Sequence, residues 1–159
     1  NFSVKRCIDI AEDFLESLGY DDMKAVWTSE NGTTCNLNFV YEDDDVIYYS
    51  DMVKVKVCEE RGIVTGAEAL SYVLNHTDRN IDDDDAVLSK NEAKSRLHEG
   101  FNVKGTRLAV IPVENKEVLC YEFNGEYEGS EYYIYIDATT GDEVEVLTVI
   151  GTAQGRALM

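Results

Sequence analysis

Proline, histidine and basic residues are all scarce: the 159 residues hold one Pro, two His and 14 Lys+Arg against 32 Asp+Glu. The resulting net charge of −18 repels phosphate backbones and anionic lipid heads. It argues against nucleic acid and acidic membrane surfaces as partners. No apolar run approaches the roughly 20 residues of a membrane-spanning helix. The four cysteines, Cys7, Cys35, Cys58 and Cys120, form no CxxC pair, so neither a zinc signature nor a dense disulfide framework is present. We read them as small buried hydrophobes, with one fortuitous disulfide as the alternative. With only His76 and His98 available, there is no G-x-S-x-G, no papain-like cysteine context and no HExxH. We therefore assign no catalytic residue, no cofactor and no metal ligand, and read the chain as not an enzyme.

What is present is a core and a pattern. Hydrophobic residues make up 44% of the chain, so the acidity does not imply disorder. Val4, Ile8, Ala11, Leu15 and Leu18 recur at helical spacing over residues 4 to 18, with Ser3 as N-cap and Gly19 as the stop. Strand patterns follow: Met23 to Ser29, a turn at Asn31-Gly32, then Thr34 to Tyr41 with Cys35, Leu37, Phe39 and Tyr41 on one face. The acidic loop Glu42 to Asp45 comes next, then Ile47 to Val57, ending in the alternation Val53, Val55, Val57. A turn at Arg61-Gly62 leads into Ile63-Val64-Thr65, and a short helix is expected at Ala67 to Leu74.

The same order then recurs. Ser89 to Glu92 forms a capping box ahead of a helix running to about Gly100, with Ala93 and Leu97 inward. Strands are expected at Thr106 to Val113, Val118 to Phe123, Tyr132 to Ile136 and Glu143 to Ile150, with a loop at Asn124 to Ser130. Leu37-Asn38-Phe39 corresponds to Tyr121-Glu122-Phe123, Val53 to Val57 corresponds to Tyr132 to Ile136, and Gly62 corresponds to Gly141. Each half is a helix followed by an antiparallel meander. The fold class expected is α+β: two tandem modules packed together, residues 1–76 and 88–159, joined by an acidic linker at 77–87.

The run Tyr133-Ile134-Tyr135-Ile136-Asp137-Ala138-Thr139-Thr140-Gly141-Asp142-Glu143-Val144 resembles the strand, Asp-Ala-x-x-Gly, strand hairpin of PepSY modules, a cystatin-like family. Four further stretches extend the resemblance. They are Ala11 to Leu15 with Leu18-Gly19, then Val53 to Val57, then Tyr72-x-x-Asn75-His76-x-x-Arg79, and finally Leu108 to Pro112 with Cys120 to Phe123. Over nearly the whole chain they resemble the C-terminal region of YpeB-type spore germination proteins. That resemblance implies a non-catalytic module partnered with a spore cortex-lytic hydrolase, which it stabilises or restrains. It also implies an extracytoplasmic place near the spore inner membrane and cortex, and a membrane anchor upstream. Asn1 in place of Met fits a fragment or processed form. The wider PepSY likeness implies an alternative, an inhibitor acting like a metallopeptidase pro-region. A structural or cell-wall-binding role is a third.

Six residues are candidates for partner contact: Tyr72, Asn75, His76, Arg79, Tyr133 and Tyr135. The bland reading of the first group is a helix end, with Asn75 capping, His76 at the negative end of the dipole and Arg79 paired with nearby acids. The functional reading is a partner-facing or inter-module contact. On the tyrosine strand, alternation puts Tyr133 and Tyr135 on one face and Tyr132, Ile134 and Ile136 on the other. One face must pack on the helix; the other is a packing or binding surface. Asp78, Asn80 and Asp82 have EF-hand-like spacing, but Asp83 replaces the required Gly and Ser89 the required Glu, so this is a solvated linker.

Overall fold

The structure, a computed structural model, describes residues 1–152 and 155–158, without the side chains of 150–152 and 155–158. The chain divides into two compact units. The first is Asn1–Asp43 with Tyr48–Asp78 and Gly151–Arg156; the second is Asp44–Ile47 with Arg79–Ile150 and Ala157–Met159.

The first unit opens on α1 (Val4–Ser17). Ser3 Oγ accepts the Arg6 N–H at 3.2 Å, as an N-cap should. At the other end Gly19 takes φ +87°. Its N–H returns to the Glu16 carbonyl at 3.0 Å, and Tyr20 N–H returns to Leu15 at 2.9 Å, a Schellman close. Cys7, Ala11 and Leu15 are buried, as the helical spacing predicts. Leu18 is 57% exposed, because the chain leaves the helix axis there.

Four strands follow, β1 (Met23–Asn31), β2 (Thr34–Asp43), β3 (Val46–Cys58) and β4 (Ile63–Glu68). They are neighbours in that order. Asn31 pairs with Thr34, so the first hairpin turns on Gly32-Thr33, one residue later than expected. Gly32 alone supplies the positive φ, at +63°. The Glu42 to Asp45 loop is tighter than expected: Asp44 and Asp45 both hold positive φ, at +49° and +62°. Two consecutive left-handed residues suit a two-residue hairpin, and Asp tolerates that conformation. Alternation then decides burial. Leu37 and Phe39 join Val53, Val55 and Val57 in one cluster with Cys7, Ala11 and Leu15. A bulge between Ala25 and Trp27 flips the face of β1, so Glu30, opposite Cys35, lies on the helix side. The last element, α2 (Leu70–Asn75), begins three residues later than expected because β4 runs on through Ala67 and Glu68. None of its side chains is buried.

The second unit repeats the plan with a shorter helix. Ser89 Oγ accepts the Glu92 N–H at 3.1 Å, but α3 (Lys90–Lys94) is only five residues long. The helix expected to reach Gly100 gives way to turns. Strands β5 (Asn102–Val113), β6 (Lys116–Tyr127), β7 (Ser130–Asp137) and β8 (Glu143–Thr152) pair antiparallel in sequence, and β9 (Gly155–Leu158) follows. The loop expected at Asn124 to Ser130 is mostly strand: Tyr127 pairs with Ser130, leaving Glu128-Gly129 as the turn. Tyr121, Phe123, Ile134, Ile136 and Ala138 cluster with Ala93. Of these, Tyr121, Phe123, Ile134 and Ile136 are the positions that the internal repeat equates with Leu37, Phe39, Val55 and Val57.

All four thiols are free; Cys7, Cys35 and Cys120 are buried and Cys58 is half-buried. Burial pushes the Cys35 and Cys120 thiols up to about 12 and raises Cys7 as well. Thiolate, not thiol, is the nucleophile. Iodoacetamide at pH 8 should therefore label Cys58 first in the native protein. Cys35 and Cys120 should react roughly a thousandfold more slowly than an ordinary exposed thiol on thiolate fraction alone. Quantifying modified peptides before and after unfolding in guanidinium checks this; rapid native labelling of Cys35 would refute it.

Candidate functional site

The stretch from Tyr72 to Arg79 is where the sequence places most of its candidates. Asp51, on β3, is fully buried and lies 2.7 Å from His76 Nδ1. A carboxylate taken out of water needs such a partner. Tyr72 stacks on the imidazole with ring centroids 4.4 Å apart, and Tyr41 meets it edge-on at 4.7 Å. Asn75 Nδ2 donates to the Ser71 carbonyl at 2.8 Å and the Ser50 carbonyl at 3.3 Å. The end of α2 is thereby fastened to the Ser50-Asp51 segment of β3 through one side-chain amide and one imidazole. An Asp–His pair also orients the base of many hydrolases. Here tyrosine covers a ring face, and the arrangement serves to clamp a short helix onto a strand. Burial holds the Tyr41 and Tyr72 phenols above the ordinary tyrosine range, and neighbouring carboxylates add to it.

The remaining candidates lie in the second unit. Arg79, whose side chain is 8% exposed, forms a two-pronged contact with Glu117, at 3.0 Å from Nε and 2.8 Å from Nη2. Tyr135 is buried, and its hydroxyl donates to Glu122 Oε2 at 2.8 Å. Arg107 Nε donates to the other oxygen of Glu122 at 2.6 Å. Arg107 pairs with Glu122 and Glu122 with Tyr135 across three adjacent strands. The row is a buried charged group with its partners, on the face opposite Phe123 and Ile134. Tyr133 is half-buried on that same alternation. The structure thus brings Tyr72, Asn75 and His76 together in one unit and places Arg79, Tyr133 and Tyr135 in the other.

Sequence reasoning missed Asp51, Glu122 and Glu59. Each is an acid inside or at the end of an apolar strand run, and that interruption was the available signal. Glu59 is 5% exposed, with Oε1 buried and no hydrogen-bond partner among the described residues. Burial raises its carboxyl above the usual glutamate range, and the charge of the neighbouring Glu30 carboxyl raises it further. One carboxyl oxygen from each of Asp82, Asp83 and Asp84 lies within 4.8 Å of the other two. Asp82 is engaged in capping a 3₁₀ turn at Asp83–Asp85, accepting from Asp84 N–H at 2.9 Å.

The closing hairpin of the second unit is the most specific local geometry. Asp137 Oδ1 accepts N–H groups from Thr139 at 2.7 Å and Thr140 at 3.2 Å. Gly141 takes φ +78° and its N–H returns to Asp137 O at 2.9 Å. Ala138, fully buried, accepts at its carbonyl from Val87 and Leu88 N–H at 3.0 and 2.8 Å. In the Asp-Ala-x-x-Gly pattern, then, Asp shapes the turn, Ala anchors the chain entering α3, and Gly supplies the left-handed step.

A helix-covered antiparallel meander closed by that hairpin places the second unit among PepSY domains. Residues 87–147 match the family described as "Peptidase propeptide and YPEB domain". Residues 1–82 match the family described as "YpeB sporulation, PepSY1 and PepSY2 domains", and the chain belongs to the YpeB family. It is 35% identical over 147 residues, 92% of its length, to sporulation protein YpeB of Halalkalibacterium halodurans. It is 32% identical over 136 residues to sporulation protein YpeB of Bacillus subtilis. It spans about a third of the length of these relatives, 32% and 30%. The solved Bacillus megaterium YpeB C-terminal domain superposes with a TM-score of 0.83 at 33% identity, over 93% of this chain and 66% of that one. The α+β class is that of this relative. Among the described residues no helix is long and apolar enough to cross a membrane.

Two consequences are measurable. His76→Gln removes the imidazole from the buried Asp51 and should cost roughly 1–3 kcal/mol of unfolding free energy. Urea titration followed by far-UV circular dichroism reads it; an unchanged midpoint would show that the clamp is idle. Glu59 binds its proton more tightly folded than unfolded, so the stability this contributes is present in acid. It is lost as pH rises from the ordinary glutamate range through the raised folded value. Glu59→Gln should accordingly match the parent near pH 4 and be the more stable protein at pH 7, with the comparison of the two midpoints as the check.

Proposed function

We propose that this region is a non-catalytic binding module that associates with a spore cortex-lytic hydrolase and stabilises or restrains it. The observation that carries the reading is similarity to YpeB sporulation proteins along both units. The chain's charge of −18 sets the character of the partner's surface: basic or neutral, with an association that weakens as salt rises. The place of action is extracytoplasmic, at the spore inner membrane and cortex. The working division is a module at residues 1–76, a linker at 77–87 and a module at 88–159.

Co-purification of the chain with the cognate lytic enzyme should succeed at low salt and fade as salt is raised, and enzyme levels in dormant spores should fall when this region is deleted. Absence of binding together with unchanged enzyme levels would sink the reading. The phrase "Peptidase propeptide" in the matched family description favours one second reading, inhibition of a metallopeptidase. Titrating the chain into metallopeptidase assays separates the two, since flat activity curves reject inhibition and leave association untouched.

A further inference from the structure

Helix α2 has two unlike sides. On its inward side Tyr72 packs against Tyr20 at 4.9 Å and against His76, and Asn75 is tied to Ser50. Its outward residues are Leu70, Val73 and Leu74, which are 63%, 68% and 72% exposed. Offsets of three and four put these side chains on one face. Eight large hydrophobics are highly exposed among the described residues. Three of them stand together on this six-residue helix, while the others are spread along the chain from Phe2 to Val146. Scattered apolar residues are ordinary; a contiguous set is a mark of contact.

The fold does not need these three side chains. A helix of six residues is far too short to persist on its own propensity. It is held by the His76–Asp51 pair, the Asn75 amide and the Tyr72 ring, none of which involves the outward aliphatics. Its start is held by Glu68, whose Oε1 accepts the Leu70 N–H at 2.6 Å.

The surroundings say what would cover the patch. Glu68 precedes it and Asp78 follows it in sequence. Asp22, Asp43 and Asp78 act electrostatically on the phenol of Tyr41, which packs against His76 at the end of the helix, and Asp21 acts on that of Tyr72. A second copy of this chain would bring like charges face to face around an isologous contact. A partner with an apolar centre and a cationic border satisfies both parts of the surface. We propose that the outward face of α2 (Leu70, Val73 and Leu74) docks a protein segment whose apolar side is bordered by lysine or arginine. For its biological partner this rests on the binding-module reading above. Its test uses a peptide and no hydrolase, so each can fail alone.

The probe is a synthetic amphipathic leucine/lysine peptide, titrated into the full 159-residue chain with methyl groups observed by NMR. Its leucine/glutamate counterpart is the control. The expected result is that methyl shifts centre on Leu70, Val73 and Leu74. Affinity should fall at least about tenfold, the equivalent of roughly 1.4 kcal/mol, in the triple variant Leu70→Ser, Val73→Thr, Leu74→Ser. Raised salt should weaken binding, and the glutamate peptide should not bind. Circular dichroism and the urea midpoint should be unchanged, because the replaced side chains are exposed; should the triple variant not fold, Leu74→Ser alone carries the comparison. Three outcomes overturn the proposal. Shifts spread over the acidic side of α1, with variant affinity intact, would mean that charge alone is at work. Equal binding of the glutamate peptide would remove the cationic border. Methyl shifts that change on dilution without peptide would make a second copy the occupant.

Discussion

An antiparallel meander whose residues alternate has one apolar face, and that face must be covered before anything else in the unit can be stable. In the first unit the cover is α1, and two of its three fully buried residues are small. Cys7 and Ala11 let the helix approach, and Leu15 fills the far end against Leu37, Phe39 and the three valines of β3. The cysteines belong to this constraint rather than to chemistry: a thiol is a small apolar side chain there, and burial keeps it protonated. The second unit meets the same need with less helix. Ala93 is the one fully buried residue of α3. The rest of the cover comes from the chain on either side, Ala86 before it and Leu97 and Phe101 after it, all packed on the cluster of Phe123, Ile134 and Ile136. The Ala138 carbonyl, accepting from Val87 and Leu88, holds that irregular segment in place.

With the faces covered, the polar groups trapped at strand positions need partners, and they acquire them locally. Asp51 takes His76, and Glu122 takes Arg107 and Tyr135. In both cases a buried carboxylate is met by side chains from neighbouring elements. Such pairs contribute little net stability over an apolar substitute, but losing one partner is costly. Their effect is positional. The Asp51–His76 contact dictates where α2 sits, and so dictates which of its faces is turned out. The stretch Tyr72 to His76 supplies the fastening, and the aliphatics on the reverse side of the same helix supply the exposed surface.

Much of this is legible along the chain itself. The helical spacing of α1 names its buried face and both of its caps. The alternation in β2 and β3 names the core residues. The internal repeat aligns Leu37 with Tyr121 and Val55 with Ile134, and these positions do lie on the helix-covered faces of their units. Turn chemistry is readable as to place but not always as to register. Asn31-Gly32 reads as the hairpin centre, yet the pairing slides by one residue and leaves only Gly32 in the left-handed region. The helix ends are less legible. The N-cap at Ser89 is real, but nothing in the sequence announces that the helix stops at Lys94.

The amino-acid sequence by itself determined the two-fold plan of helix and meander, the family hairpin at Asp137 to Gly141, and the acidic character of the surface. Each of these rests on local spacing, on turn stereochemistry or on composition, which need no distant partner. Tertiary structure alone decided that Asp51, Glu59 and Glu122 are buried, that His76 faces a carboxylate 25 residues away, and that Leu70, Val73 and Leu74 point outward. The physical reason is the same in every case. A strand residue's face is set by bulges and cross-strand register, and a short helix's orientation by what fastens its ends. Both depend on contacts between segments far apart in the chain, which periodicity along one segment does not encode.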